Sequence, residues 1–164
     1  MEHPPKRRWH GRVPRVHRGF YNTWTSNGTR DAVLSHVRTL LAAAPDPSAV
    51  RVATCGHSLG GAVASLAAFD IGRELRVPPA RLQCYTFGCP RVGNHAFARE
   101  YQTVVPDTWH VVNNQDVVVH AMKVFGWYKR NGERVILNGR GGLVVRPMLI
   151  ELSLLQVRFR FDAF

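Results

Sequence analysis

The sequence predicts an α/β fold, with a mostly parallel central sheet flanked by helices. Short apolar runs typical of strands alternate with longer runs that carry apolar residues at helical spacing. The order strand, helix, strand, helix, strand is typical of parallel βαβ units. Functional groups gather at the carboxyl ends of the strands in such sheets, and Ser58, Gly88 and Asp116 fall at predicted strand ends. We therefore expect the functional site at that edge.

Composition indicates a single globular domain. The chain has 164 residues, of which 45% are hydrophobic and 20% are charged. No apolar run reaches the roughly 18 residues that a membrane span needs, and no apolar stretch follows the basic first residues as in a secretory signal. The location is therefore unknown, with the cytoplasm as the default. The three cysteines are expected to be reduced, and no zinc spacing or cofactor motif is present, so no metal or cofactor is predicted.

The net charge of +11 is large, and arginine and lysine concentrate towards both ends of the chain. This charge is either an ordinary property of a soluble surface that carries more basic than acidic residues, or it attracts an anionic partner. An anionic lipid surface is a candidate partner. No nucleic acid is expected, because no nucleic-acid-binding motif accompanies the charge. The sequence does not predict an oligomeric state.

The first half of the chain begins with a basic, irregular arm over residues 1–15, rich in proline and arginine. Val16–Phe20 is predicted to be the end of a strand, and Asn27-Gly28 a turn. The elements predicted next are a helix from Thr29 to Pro45, a strand over Arg51–Cys55, a helix after Ser58 that runs to Leu75, a strand over Arg81–Phe87, a helix from Asn94 to Thr103 and a strand over Trp109–Val112.

The last third of the chain does not continue the alternation of predicted strands and helices. Asn131-Gly132 lies between two strand-like runs and predicts a C-terminal hairpin with a two-residue turn. Residues 138–142 read as a flexible loop, without the lysine and spacing of a P-loop. Val157–Phe161 alternates apolar and basic residues and predicts a further strand.

The motif G-x-S-x-G occurs at residues 56–60, between a predicted strand and a predicted helix. This is the context of a nucleophile elbow, in which a sharp turn exposes the serine hydroxyl. We expect that only glycine at positions 56 and 60 avoids a Cβ clash in so tight a turn. The start of the next helix supplies free backbone N–H groups beside Ser58, where an oxyanion would form.

Several segments together resemble one family, the class 3 or fungal-type triacylglycerol lipases of the α/β-hydrolase superfamily. They match that family in order and spacing: residues 16–20 (V-H-R-G-F), 56–61 (G-H-S-L-G-G), 85–94 (Y-T-F-G-C-P-R-V-G-N) and 112–117 (V-N-N-Q-D-V). The resemblance implies a partial α/β-hydrolase fold. It also implies a lipase-type domain over residues 16–146 that lacks the family's N-terminal strands, followed by a divergent tail over residues 147–164.

The resemblance further implies ester hydrolysis, with acylglycerols or similar carboxylic esters as substrates and no cofactor. Such lipases use a serine, an aspartate and a histidine in that chain order. The matching positions place the nucleophile at Ser58, the acid at Asp116 and one oxyanion donor at the backbone N–H of Leu59.

The expected histidine is the main departure from the family pattern. The family's histidine lies well beyond the acid, whereas His120 is the one histidine after Asp116 here and follows it by four residues. His120 is therefore a weak candidate for the base, while His17, His57 and His110 have structural explanations. A second oxyanion donor is also not visible before Val16. We thus expect this chain to be a weak or inactive hydrolase, either an incomplete gene model or a catalytically dead relative.

Two further expectations follow from the resemblance. The alternative to an enzyme is a non-catalytic protein that keeps the α/β-hydrolase shell and binds anionic lipid or acidic partners. The strand before Ser58 would also present an apolar edge without the family's front strands. This edge predicts marginal stability or aggregation of the isolated chain.

Overall fold

The computed structural model describes residues 13–113, 128–137 and 142–145, and its centre is a mainly parallel sheet. The seven strands in chain order are β1 Val52–His57, β2 Leu82–Phe87, β3 Gly93–Asn94, β4 Asp107–Asn113, β5 Tyr128–Lys129, β6 Glu133–Leu137 and β7 Leu143–Val145. Five of them form one sheet in the order β1-β2-β4-β6-β7. The pairs β1–β2, β2–β4 and β4–β6 are parallel, and β6–β7 is antiparallel. The predicted α/β class is thereby confirmed.

The described helices are α1 Arg18–Thr25, α2 Thr29–Ala43, α3 Leu59–Glu74 and α4 His95–Val104. Asn27 and Gly28 both have positive φ angles, of 52° and 72°, and form the predicted turn before α2. The Pro45-Asp46-Pro47 sequence follows the end of α2, where proline cannot continue a helix. Between Thr29 and Asn113 every predicted helix and strand is present, with ends shifted by a few residues.

Helix α3 lies at the centre of the hydrophobic core. Its small residues, among them Ala62 and Ala68 with no exposed surface, let it pack closely against the sheet. Asp70 on α3 also joins two other helices. Its Oδ2 atom accepts hydrogen bonds from Trp24 Nε1 of α1 at 2.9 Å and from Arg30 Nε of α2 at 2.7 Å. The indole is thus buried with its N–H satisfied, which is the arrangement that a buried tryptophan requires.

The prediction of a strand end at Val16–Phe20 is wrong for most of that segment. Val16 makes one isolated antiparallel bridge to Gly93, and helix α1 begins two residues later at Arg18. The physical reason is tertiary packing: α1 places Trp24, which is 2% exposed, against the core, with Phe20 at its edge. Short segments of this kind form helices when they bury a strongly apolar face.

The hairpin turn predicted at Asn131-Gly132 is wrong, although a different antiparallel pair of strands follows it in the sequence. The residues before that pair form β5, which joins β3 in a separate two-stranded sheet, and the residues after it form β6, which pairs in parallel with β4. The antiparallel pair is instead β6–β7, formed by Glu133–Leu137 and Leu143–Val145. A Cβ on Gly132 would lie 2.6 Å from Thr108 Cγ2, so glycine is needed there for a close approach to β4. The predicted strand over Val157–Phe161 lies outside the described residues.

Asn94 connects the start of the described chain to helix α4. Its side-chain oxygen accepts from Arg15 N at 3.1 Å and from Phe97 N at 2.9 Å, where it caps α4. Its side-chain nitrogen donates to Val13 O at 2.9 Å, and its backbone N–H donates to Arg15 O at 2.8 Å. One asparagine therefore holds two segments that are about 80 residues apart in sequence.

Strand β1 stands at one side of the sheet and pairs with β2 alone among the described strands. Its residues alternate between half-buried and exposed, and Ala53, Cys55 and His57 face solvent. The central strands are more covered, because Cys84 and Thr86 of β2 and His110 of β4 are buried. Within the described ranges, β1 is thus the sheet's exposed parallel edge.

Candidate active site

The turn between β1 and α3 places Ser58 in a strained backbone conformation. Strand β1 ends at His57, α3 begins at Leu59, and Ser58 between them has φ 50° and ψ −122°. Residues other than glycine rarely adopt a positive φ. Such a conformation costs on the order of 1–3 kcal/mol and persists only where the surrounding structure fixes it. Strain of this kind at a serine is the geometry of a nucleophile elbow, as the sequence motif predicts.

Hydrogen bonds on both sides hold Ser58 in this conformation. Its backbone N–H donates to Phe87 O at the end of β2, at 2.9 Å. Its carbonyl oxygen accepts from Gly61 N at 3.0 Å and from Ala62 N at 3.3 Å, which are the first bonds of helix α3. The residue is therefore tied to the neighbouring strand and to the helix, and these bonds offset the local backbone strain.

The two glycines of the motif have different roles, which corrects the expectation that both avoid a clash. A Cβ built on Gly56 would meet the backbone of Gly60 well inside 3.0 Å and the nitrogen of Gly61 at 2.7 Å. A Cβ on Gly60 would meet nothing within 4 Å. Gly61 is the second crowded position, since a Cβ there would lie 3.0 Å from both Cys89 Cβ and Gly56 O. The steric requirement thus falls on positions 56 and 61.

The start of α3 supplies the amide predicted for the oxyanion site. Leu59 is the first residue of the helix, so its N–H has no carbonyl one turn earlier in that helix to bond. Its side chain is 46% exposed, and Phe87, whose carbonyl binds Ser58, is 42% exposed. Two large apolar side chains therefore lie exposed on residues that adjoin or bond Ser58.

The carboxyl ends of three parallel strands meet beside Ser58. The register aligns His57 of β1 with Phe87 of β2 and Phe87 with Val111 of β4. Gly88, at φ 57°, continues this alignment by donating from its N–H to Val111 O at 2.9 Å. The predicted acid Asp116 and the weak candidate base His120 follow β4 in sequence but lie outside the described residues.

Two of the other histidines, His110 and His17, occupy positions with structural explanations. His110 is 1% exposed, and its Nδ1 is hydrogen-bonded to the Thr86 hydroxyl on the adjacent strand. Burial, with a smaller effect of the nearby Arg130 cation, lowers the pKa of His110 to about 3, so the ring is neutral. His17 packs its ring on Phe20 with a centroid distance of 4.4 Å.

Cys89, one of the three cysteines expected to be reduced, lies beside the elbow, a position that the sequence did not predict. Its side chain packs against Gly61 at the start of α3, and its thiol donates to Pro90 O at 3.2 Å. Burial raises the pKa of the Cys89 thiol to about 12, so it is not a thiolate nucleophile at neutral pH. Gly61 is the sequence signal for this contact, because a glycine at a crowded position indicates that another residue packs closely against it.

The described residues contain no cluster of three or more histidine, cysteine or acidic side chains that could hold a metal ion. All three cysteines carry free thiols, with Cys55 exposed and the other two buried. Across the ranges that the structure describes, none of the helices combines the length and apolar character that a membrane crossing requires.

The chain is similar in sequence to known lipases. The family model "Lipase (class 3)" matches residues 2–125. A phospholipase A(1) from Arabidopsis thaliana, DAD1, is 35% identical over 123 residues, which cover 74% of this chain and 26% of that protein. A lipase from Rhizopus niveus is 36% identical over 103 residues, which cover 62% of this chain and 26% of that protein.

Solved structures give the same result. The lipase from Rhizopus microsporus var. chinensis matches with a TM-score of 0.66 and 37% identity, covering 76% of this chain and 42% of that one. The Rhizomucor miehei triacylglyceride lipase matches with a TM-score of 0.70 and 29% identity, covering 88% and 51%. The chain therefore spans about half the length of these structures or less. With the elbow at Ser58 and a family match over most of its length, the chain belongs to the class 3 lipases, with the α/β-hydrolase fold.

Proposed function

We propose that this chain carries the nucleophile-bearing core of a serine hydrolase that cleaves carboxylic esters of lipids. The observation that carries the proposal is Ser58, at φ 50° between β1 and the first amide of α3. A serine in this position presents its hydroxyl beyond the sheet, where a substrate carbonyl can reach both the Oγ and the helix N–H groups.

The proposed reaction has two steps. In the first, Ser58 Oγ loses its proton to a base and bonds to the ester carbonyl carbon, and the carbonyl oxygen becomes an oxyanion that the Leu59 N–H stabilises. Collapse of this intermediate breaks the bond to the alcohol, which leaves with the proton. In the second step, water attacks the acyl-serine, releases the carboxylic acid and restores the Ser58 hydroxyl.

Asp116 is the proposed acid of this site, and its role would be to orient and stabilise an imidazolium. His120 is the one histidine that follows it in the sequence, and four residues of separation make it a weak candidate for the base. Loss of a triad histidine costs on the order of 10⁶ in turnover. We therefore propose that the 164-residue chain hydrolyses esters slowly.

The proposed substrates are acylglycerols or related lipid esters. Support comes from relatives named as lipases, as a phospholipase A(1) and as a secreted mono- and diacylglycerol lipase of Malassezia globosa. The exposed side chains of Leu59 and Phe87 offer apolar contact surface on residues that adjoin or bond Ser58. The boundaries proposed for the lipase-type domain are residues 16–146.

A serine-directed fluorophosphonate probe tests this proposal without requiring turnover. Because phosphonylation of a serine also needs a base, we expect slow labelling of the wild-type chain. The Ser35→Ala control, whose serine is exposed on α2, should be labelled at the same rate, and Ser58→Ala should not be labelled. Equal labelling of Ser58→Ala would place the reactive serine elsewhere. No labelling of the folded wild-type chain would favour the alternative, a non-catalytic shell that binds anionic lipid or acidic partners.

His120 is tested separately with a soluble short-chain ester. If lipase-like rates are measured for the purified chain and are abolished in both Ser58→Ala and His120→Ala, the slow-turnover proposal is wrong and His120 is the base. Rates near background in the wild-type chain, despite probe labelling of Ser58, are the expected result.

We also propose that an anionic lipid surface attracts the chain, because its net charge is +11. Co-sedimentation should be stronger with vesicles that contain phosphatidylserine than with phosphatidylcholine vesicles. The difference should shrink at high salt, since screening weakens attraction between exposed charges. Equal binding to both vesicle types would refute this partner.

A further inference from the structure

A group of arginines lies partly buried where β3 and β5 meet the main sheet. Arg91 precedes β3, Arg130 follows β5, and Arg134 lies on β6. Arg91 Nη1 donates to Tyr128 O at 2.7 Å, which ties the first of these arginines to β5. Arg134 is aligned with His110 of β4, so the two side chains project from the same face of the sheet.

Arg91 and Arg134 lie close enough to Arg130 to perturb it electrostatically. Burial, with the cations of Arg134 and Arg91, lowers the pKa of Arg130 to about 10. Burial and Arg91 also lower the pKa of Arg134. His110, which faces Arg130, is neutral and adds no charge. Arg91 and Arg134 thus both lie near Arg130, whose guanidinium stays charged at neutral pH.

Several buried polar atoms in this cluster have no hydrogen-bond partner. They are Arg91 Nε, Arg130 Nη1, His110 Nε2 and both side-chain polar atoms of Asn131, a residue that is 1% exposed. Most of these are N–H donors. A buried donor without an acceptor costs about 1–3 kcal/mol, and more when it is charged.

The ion pairs of Arg30 with Asp31, Asp70 and Glu74, and of Arg73 with Glu100, lie outside this cluster. Within the cluster, Arg91 Nε and Arg130 Nη1 are buried without a hydrogen-bond acceptor. Buried charges in proteins are normally paired, and unpaired guanidinium donors match the oxygens of a carboxylate or phosphate in geometry and sign.

We propose that Arg91, Arg130 and Arg134, with the side-chain amide of Asn131, form a binding site for a small oxyanion. The oxyanion accepts hydrogen bonds from Arg91 Nε, Arg130 Nη1 and Asn131 Nδ2, and its charge offsets the repulsion among the arginines. The proposal does not depend on the proposed hydrolase function.

The test measures thermal unfolding and calorimetric binding of the full 164-residue chain. Phosphate, glycerol 3-phosphate and acetate are each compared with chloride at equal ionic strength. At a concentration about a hundredfold above its Kd, a bound oxyanion should raise Tm by roughly 5–10 °C, with one ion bound per chain. The three anions identify the source: inorganic phosphate, a lipid headgroup or a carboxylate.

The variants are Arg130→Gln and the matched control Arg38→Gln, whose arginine is exposed on α2. The control should keep the full oxyanion-specific rise in Tm, and Arg130→Gln should lose most of it. If Arg130→Gln does not fold, Arg134→Gln replaces it, and phosphorus NMR titration of the wild-type chain measures binding directly. The proposal is overturned if no oxyanion stabilises the wild-type chain beyond chloride, or if both variants respond alike.

Discussion

Replacing Gly56 with alanine tests whether the elbow requires glycine at that position for steric reasons. A Cβ at this position would meet the backbone of Gly60 well inside 3.0 Å and Gly61 N at 2.7 Å. Neither neighbour is the flexible end of a side chain, so the turn itself must move. Forcing extra atoms into a packed site typically costs 1–3 kcal/mol, and a clash with backbone belongs at the upper end.

We therefore expect Gly56→Ala to lower the free energy of unfolding by about 3 kcal/mol, which lowers Tm by roughly 6–12 °C for a chain of this size. Gly60→Ala is the matched control, because its Cβ meets nothing within 4 Å. Gly60 lies inside helix α3, where alanine is favoured over glycine by up to about 1 kcal/mol. That variant should be as stable as the wild-type chain or slightly more so.

The assay is urea unfolding followed by circular dichroism, with the midpoints of the three proteins compared at similar slopes. The reasoning is refuted if Gly56→Ala unfolds at the wild-type midpoint. It is also refuted if Gly60→Ala is as destabilised as Gly56→Ala, since both glycines would then be needed for the same reason.

Three other predictions concern single residues or one strand. His110 has a pKa of about 3 when folded and 6.5 when unfolded, so the unfolded state takes up the proton first and stability is lost as pH falls below 6.5. The loss should reach roughly 2 kcal/mol at pH 5 in urea unfolding and be smaller in His110→Gln, whereas His36→Gln, at an exposed position, should keep it. Ser58→Gly should raise Tm by about 2–4 °C while abolishing probe labelling, because glycine accepts φ 50° without strain; a lower Tm would contradict this. The isolated chain should aggregate on heating through β1, and Ala53→Lys should slow this in light scattering; a reversible, cooperative melt of the wild-type monomer would count against it.

Local patterns predict the elements between Thr29 and Asn113 because each element there is marked by its own strong sequence signal. Proline stops α2, glycines bracket Ser58, and α3 and β2 differ clearly in apolar period. The elbow is predictable for the same reason, since a strained turn tolerates few residue types. The α/β class of the fold is predicted from the alternation of strands and helices.

Two of the misses depend on contacts that are distant in sequence, and the third depends on the backbone geometry of the elbow. Val16–Phe20 reads as a strand because of its apolar and β-branched residues, but the burial of Trp24 against α3 makes α1 a helix. Asn131-Gly132 has the residue types of a hairpin turn, but Gly132 is fixed by its approach to Thr108 on β4. The difference between Gly56 and Gly60 arises because one faces backbone and the other open space. No local pattern contains this information.

The hydrogen bonds of Asn94 have a consequence for the order of folding. They close a loop of about 80 residues between Val13–Arg15 and the start of α4, whereas β1, α3 and β2 are consecutive in the chain. Long loops cost more entropy to close and their contacts form late, so the β1–α3–β2 unit should assemble first. Amide hydrogens of β2 should then be protected early in pulsed exchange. The N–H groups of Arg15 and Asn94 should be protected last, when the start of the domain docks onto a sheet that has already formed.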